Sequence, residues 1–127
     1  EMKDVIDGLV GSVIYDNANN KSASITCNDN TNNYDIILIQ FKPGTYNDFV
    51  GIETSIIVSP TNTTYSKTTA FFNSSNKQIY CVCAKFALSN KNISITTNQY
   101  GTVGASNAYL ANGNAWYITK VIGFKLS

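Results

Sequence analysis

The amino-acid sequence predicts an all-β protein: an antiparallel two-sheet β-sandwich, jelly-roll-like, preceded by a short N-terminal helix. From Gly11 onward, runs rich in β-branched and aromatic residues alternate with clusters of Asn, Thr, Gly and Ser, the pattern of sandwiches and barrels. Eight such runs can be distinguished, which suits two packed sheets. The chain has 127 residues and is 43% hydrophobic, enough for one domain with its own core.

The first eleven residues follow a different pattern. Their apolar positions have the spacing of one face of an amphipathic helix: Met2, Val5, Ile6, Leu9 and Val10. Gly11 is placed to end that helix. A helix this short is marginal in water, so the stripe must pack on something. Residues 1–11 are expected to be the end of a helical stalk and 12–127 a β-sandwich head. The alternative is that the stripe packs on its own domain.

The predicted strands are Ser12–Asp16, Ala23–Asn28, Tyr34–Phe41, Gly51–Val58, Thr69–Asn73, Gln78–Leu88, Ile93–Asn98 and Trp116–Leu126. "SASITC" alternates between apolar and polar residues, which predicts one dry face and one wet face. "DIILIQF" and "IYCVCAKFAL" are apolar at nearly every position, which predicts burial on both faces. The second dry face then needs a cover. A neighbouring subunit is the expected cover, and a loop or the N-terminal helix is the alternative.

Composition narrows the function classes. Charged residues make up 13% of the chain against a typical value of about 25%, and the net charge is +1, so neither nucleic acid nor an anionic membrane is an implied partner. No apolar run approaches the 18 or more residues of a membrane span, so membrane insertion is not expected. Arg and His are both missing. Their absence removes the bidentate phosphate ligand, the commonest general base and the commonest metal ligand.

No catalytic residue, metal or cofactor is therefore predicted. Asp48 and Glu53 are the one carboxylate pair worth naming for a glycan depolymerase, and solvated turn residues explain them better. "NDNTNNYD" lacks the ligand spacing of an EF-hand loop. Cys27, Cys81 and Cys83 are expected to be free and buried.

Aromatic residues in turns are the feature that points to a ligand. Sugars bind through aromatic faces together with amide and carboxylate hydrogen bonds. The candidate ligand-binding residues are Tyr46, Asp48, Tyr65, Tyr100, Asn107 and Tyr109. The Gly101–Gly113 stretch is the first choice, because long loops are often functional. The alternative for each tyrosine is that it covers the edge of the core.

Both ends of the chain resemble one family. "GSVIYDNANNKSASITCNDNTNNYDIILIQF" resembles the opening of the C-terminal β-domains of bacteriophage tail-fibre and receptor-binding proteins, through Ile14-Tyr15-Asp16, Ser24-Ile25-Thr26-Cys27 and Tyr34-Asp35-Ile36 to Phe41. "WYITKVIGFKLS" is similar to their closing strand, through Ile118, Lys120, Val121, Gly123 and Lys125. The middle of the chain carries no family motif, so the resemblance assigns no binding residue.

The resemblance implies a homotrimer at the tip of a virion tail fibre, synthesised in the bacterial cytoplasm. The expected function is non-catalytic binding of a bacterial surface glycan. The alternatives are a monomeric carbohydrate-binding module of a bacterial surface or secreted protein, a depolymerase, and a purely structural fibre or capsid domain.

Overall fold

A computed structural model describes residues 10–43, 55–60, 64–73, 77–103, 110–112 and 116–126. The strands within these ranges are β1 (Ser12–Asp16), β2 (Ser24–Thr26), β3 (Ile36–Pro43), β4 (Ser55–Val58), β5 (Thr64–Asn73), β6 (Gln78–Ser89), β7 (Asn92–Val103), β8 (Leu110–Asn112) and β9 (Trp116–Phe124). A 3-10 turn, Thr31–Asn33, precedes β3.

The described strands form two antiparallel sheets. Sheet A has the order β1-β9-β3-β4, and sheet B has the order β2-β7-β6-β5 with β8 paired to β7. The all-β, two-sheet prediction is confirmed. The jelly-roll detail is not confirmed, since β5, β6 and β7 are neighbours both in sequence and in space, as in a meander. The predicted helix of residues 1–11 lies almost wholly outside the described residues.

One hydrophobic core joins the two sheets. Along β3 the buried residues alternate, so that Ile37, Ile39 and Phe41 face inward. The Phe41 ring lies 5.3 Å from the ring of Phe86 in sheet B and 4.8 Å from Trp116 in its own sheet. The sheets therefore pack face to face through large side chains, as in a sandwich.

The C-terminal strand lies in the middle of sheet A. β9 pairs with β1 on one side and with β3 on the other. Trp116 is 1% exposed, and Ile118 and Val121 are fully buried. The buried Asn20 ties the β1–β2 connection to this strand, because its side-chain amide donates to the Ile118 carbonyl at 2.8 Å.

Tyr34 closes one end of the core. Its ring packs on Gly123 of β9 so closely that a Cβ at Gly123 would lie 2.4 Å from the ring. The Tyr34 hydroxyl donates to Asp29 at 2.8 Å. A hydrogen bond nearby holds the residues that follow β9, because the Leu126 amide donates to Asp35 at 2.8 Å. The close packing of the Tyr34 ring on Gly123 gives a physical reason for the glycine in β9.

The sandwich has two distinct ends. The end with Tyr34 is called here the entry end, because it holds Val10 and Leu126, the first and last described residues. At this end the sheets are tied together by Thr31, whose hydroxyl donates to the Asn90 carbonyl at 2.7 Å. The opposite end, where Pro43 pairs with Trp116, is called the distal end.

The predicted bounds of two strands were wrong. β5 begins at Thr64 rather than Thr69, and β7 runs to Val103. Leu110–Asn112 pairs with β7 as β8, so the Gly101–Gly113 stretch is partly strand. In "IYCVCAKFAL", Ala84, Phe86 and Leu88 are buried, whereas the alternate residues from Ile79 to Ala87 are half-buried or exposed in the single chain. Burial of the second face by a neighbouring subunit stays a prediction.

The Gly123→Ala substitution is expected to lower the free energy of unfolding by about 1–3 kcal/mol, because the added methyl overlaps the Tyr34 ring. Urea denaturation measures the change. In a Tyr34→Ala background the same substitution should cost much less, since the obstructing ring is gone. Equal costs in the two backgrounds would mean that the Tyr34–Gly123 contact does not determine the residue at 123.

Candidate functional site

The predicted ligand-binding segments join strands at the distal end. Tyr46 and Asp48 belong to the segment between β3 and β4, and Asn107 and Tyr109 to the segment between β7 and β8. These four residues lie outside the described residues. The strand ends that flank them are described, and Pro43, Val103 and Trp116 all lie away from the entry end. Covalent connectivity therefore anchors both segments at the distal end.

At the distal end the described part of sheet B extends farther than the described part of sheet A. Phe41 and Phe86 face each other, yet β6 continues eight residues beyond Phe86 to Gln78, whereas β3 continues two residues beyond Phe41 to Pro43. At about 3.4 Å per residue the difference is roughly 20 Å. The projecting part comprises residues 68–73, 78–83, 99–103 and 110–112 and is called here the distal ledge.

The ledge is not part of the core. No described side chain on it is fully buried, whereas the next residues of β6 toward the entry end, Ala84 and Phe86, are. Tyr80 lies on the core-facing side of β6 by alternation from Ala84, but beyond the described part of sheet A. Tyr80 is half-buried, and its hydroxyl contacts Gln78 at 3.4 Å.

Backbone register places further aromatic and polar residues beside Tyr80 on the ledge. Tyr80 is opposite Phe71 and Thr102, and Tyr100 is opposite Val82 and Ala111. A bulge between Lys85 and Phe86, relative to β7, sets this register. Tyr100 was predicted in a loop and is in fact a strand residue. The ledge combines aromatic positions with polar neighbours, the residue types that hold sugars.

Tyr65 differs from the other candidates. It lies in β5 opposite Phe86, packs against the core and donates its hydroxyl to the Ser59 carbonyl. The connection from β4 to β5 is on the entry side, so the structure separates Tyr65 from the distal segments. These contacts favour the alternative interpretation for this residue, a tyrosine that covers the core edge. Sequence reasoning missed Tyr80, because "IYCVCAKFAL" was interpreted as wholly buried.

A group of hydrogen-bonded polar residues around Asp29 lies at the entry end. Asp29 accepts from the Tyr34 hydroxyl, from the Asn30 amide and from the Asn33 side chain, each at 2.8 Å. The Tyr34 hydrogen bond, followed by that of Asn30, lowers the pKa of Asp29. Burial, followed by the hydrogen bond to Asp29, raises the pKa of Tyr34. Every acceptor bond of Asp29 is local, so this group stabilises the turn before β3.

The three thiols are free and differ in exposure. Cys27 is buried, and desolvation raises its pKa to about 11. Cys81 and Cys83 are half-buried on the outward side of the ledge, and the Thr68 hydroxyl contacts the Cys83 sulfur at 3.6 Å. The prediction of free, buried thiols is confirmed for Cys27. It is wrong on burial for the other two, because sheet B continues beyond its cover.

Within the described ranges, no three His, Cys, Asp or Glu residues are grouped as metal ligands would be. Nor does that part of the chain contain a helix long and apolar enough to cross a membrane.

Comparison with known proteins adds no assignment: no family model, curated protein or solved structure matches the chain.

The carboxyl of Asp29 should make stability fall in acid. Its folded pKa is lowered, so its contribution is present above the unfolded value of about 4 and is lost as the pH falls through the folded pKa. Tyr34→Phe removes the main donor and should raise the pKa of Asp29 toward its ordinary value, which an NMR titration measures. Asp16→Asn is the control, and it should leave the Asp29 titration unchanged. An unchanged Asp29 titration in Tyr34→Phe would contradict the assignment.

Thiol labelling should divide the cysteines. Cys81 and Cys83 are accessible on the native ledge and should react with a small maleimide before unfolding. Cys27 should react only after denaturation. The thiolate is the species that attacks the maleimide, and burial raises the pKa of the Cys27 thiol, so little thiolate forms in the native protein. Mass spectrometry of digested protein reads the sites. Native labelling at Cys27, or complete protection of the other two, would contradict the description of the ledge.

Proposed function

We propose that this chain is the receptor-binding tip domain of a bacteriophage tail fibre, and that it holds a bacterial surface glycan without cleaving it. One observation carries the proposal. The strand ends that flank the candidate ligand segments, and the ledge beside them, lie at the end opposite to the one where the chain enters the sandwich. A domain attached at its entry end would thus present these segments outward. The likeness of both chain ends to tail-fibre tip domains supports the same assignment.

The chemistry of the distal end suits a neutral or lightly charged sugar. It supplies aromatic rings for the C–H faces of a pyranose and amides for its hydroxyls. The candidate residues there are Tyr46, Asp48, Tyr80, Tyr100, Asn107 and Tyr109. The chain offers no Arg for bidentate recognition of a phosphate or carboxylate. We therefore expect recognition by stacking and neutral hydrogen bonds, with a dissociation constant near millimolar, about 4 kcal/mol.

Assembly as a homotrimer on the virion is part of the proposal. The tip of the ledge supports it, because Phe72 and Ile79 are cross-strand partners that are 63% and 45% exposed. Neighbouring large apolar side chains that remain exposed are typical of contact with another protein. The jelly-roll-like arrangement of the head remains part of this assignment. Three weak sites on one trimer would raise the avidity by orders of magnitude.

Particle adsorption tests the proposal. Tyr109→Ala should reduce adsorption of the particle to its host at least tenfold and leave the melting temperature nearly unchanged, because an aromatic residue in a connection between strands contributes little to the core. Asn107→Ala should act in the same direction. Asn32→Ala, an exposed asparagine at the entry end, is the matched control and should adsorb normally. Normal adsorption of Tyr109→Ala and Asn107→Ala would place the site elsewhere.

Two further measurements separate this function from its rivals. Light scattering should give three times the chain mass of 13.9 kDa. A single-chain mass together with binding on a glycan array would instead indicate a monomeric carbohydrate-binding module. Release of reducing ends from host polysaccharide would indicate a depolymerase.

A further inference from the structure

The outward side of sheet A carries an apolar row that crosses all four strands. Its members are cross-strand partners in one continuous register: Val13, Ile122, Leu38 and Ile57. The two at the sheet edges are the more exposed, Val13 at 49% and Ile57 at 69%. A second apolar pair, Ile36 and Phe124, lies beside the row toward the entry end. The two rows contain no charged residue, and within the described part of the chain their edge members Val13 and Ile57 stay exposed.

The chain enters the sandwich at a corner of this same face. A Cβ at Gly11 would lie 2.3 Å from the Ile122 side chain and 2.7 Å from the Phe124 ring. Both side chains belong to the outward rows, so the backbone at Gly11 is already in contact with them. Only glycine allows so close an approach without displacing these two side chains. Val10, the residue before it, is 72% exposed. The segment that precedes Val10 therefore starts at the edge of the face.

The length of that segment fits the width of the face. A helix from Met2 to Leu9 rises about 10 Å, at about 1.5 Å per residue, and the non-helical Val10 and Gly11 connect it to β1. Four strands spaced about 4.8 Å apart place the centres of β1 and β4 about 14 Å apart. A helix that ends before Val10 near β1 and runs across the sheet would bring Met2 toward β4.

The pattern of the segment fits the character of the face. Its stripe of Met2, Val5, Ile6, Leu9 and Val10 is one-sided, as a helix on an apolar sheet requires. Lys3, Asp4 and Asp7 fall on the opposite side of the helix, toward water. The segment is joined to the face through Val10 and Gly11, so its effective concentration there far exceeds that of a second copy.

We propose that residues 2–9 form a helix that covers the apolar outward face of sheet A within the same chain. The rows from Val13 to Ile57 then become a second, smaller core between the helix and the sheet. Gly11 is the hinge that lets the chain turn from the helix into β1. This inference does not depend on the proposed function, since it concerns how the head itself is completed.

Cross-linking decides which chain supplies the cover. The test protein carries Met2→Cys and Ile57→Cys, with Cys81→Ala and Cys83→Ala to remove the accessible thiols, and it is treated with a short bis-maleimide. The expected product is a cross-link within one chain, seen as single-chain mass on a denaturing gel and as a joined peptide pair. The matched control replaces Ile57→Cys by Phe72→Cys, a similarly exposed position on sheet B, and should give no joined pair within one chain.

Stability measurements complete the test. Leu9→Asp places a charge on the stripe and should raise the unfolding equilibrium constant at least tenfold, equally at low and high protein concentration. Lys3→Asp places the same residue on the opposite side of the helix and should change the constant less than threefold. A Met2–Ile57 cross-link between two chains would overturn the proposal in favour of a second copy as the cover, and so would a concentration-dependent effect of Leu9→Asp. The absence of both the cross-link and the destabilisation would overturn it altogether.

Discussion

The fold depends on the insertion of the C-terminal strand between β1 and β3. Without β9 the first strand would have no partner in sheet A, because β1 pairs with nothing else in the described ranges. The Phe41 ring packs against Trp116 of β9, and Phe41 is the cross-strand partner of Ile118. The same ring contacts Phe86 in sheet B. Folding therefore depends on contacts between residues far apart in sequence, because β9 must be in place before β1 has a strand to pair with. Such long-range pairing is slow to form, and it makes the sandwich cooperative once formed.

This dependence explains why the entry end is so firmly closed. Tyr34 sits on Gly123 of β9, Asp29 holds the Tyr34 hydroxyl, and Asp35 accepts from the Leu126 amide. If β9 frayed, it would expose the core. The hydrogen bonds among the polar groups near β9 oppose this fraying. The distal end has no such closure among the described residues, and sheet B runs on past the core. Stability is concentrated at one end and surface available for binding at the other.

The sequence predicted the strands best where one face is dry and the other wet. β1 has the predicted bounds, and around β2 Ile25 and Cys27 are buried, although Ala23 at the start of the same alternating run is exposed. It failed for β6, since a run of apolar residues does not say how far its cover extends. It missed β8, because three residues set among Gly and Asn carry no periodicity. Tyr80 was missed for the same reason as the ledge. Tyr65 was named as a ligand residue because its packing against the core depends on tertiary contacts that the sequence does not show.

The two outward faces differ in how much free energy is gained when their side chains are removed from water. On sheet A the row from Val13 to Ile57 is built of large aliphatic side chains, each worth about 1.5–3 kcal/mol when fully buried. On the ledge the corresponding positions are mostly small or polar, such as Thr68, Ala70 and Cys83, with much less to gain. The driving force to cover a face is thus strongest on sheet A, which the N-terminal segment meets at Gly11. The weaker force on the ledge leaves that surface open to reversible contacts, which suits a domain whose partners must be found after it has folded.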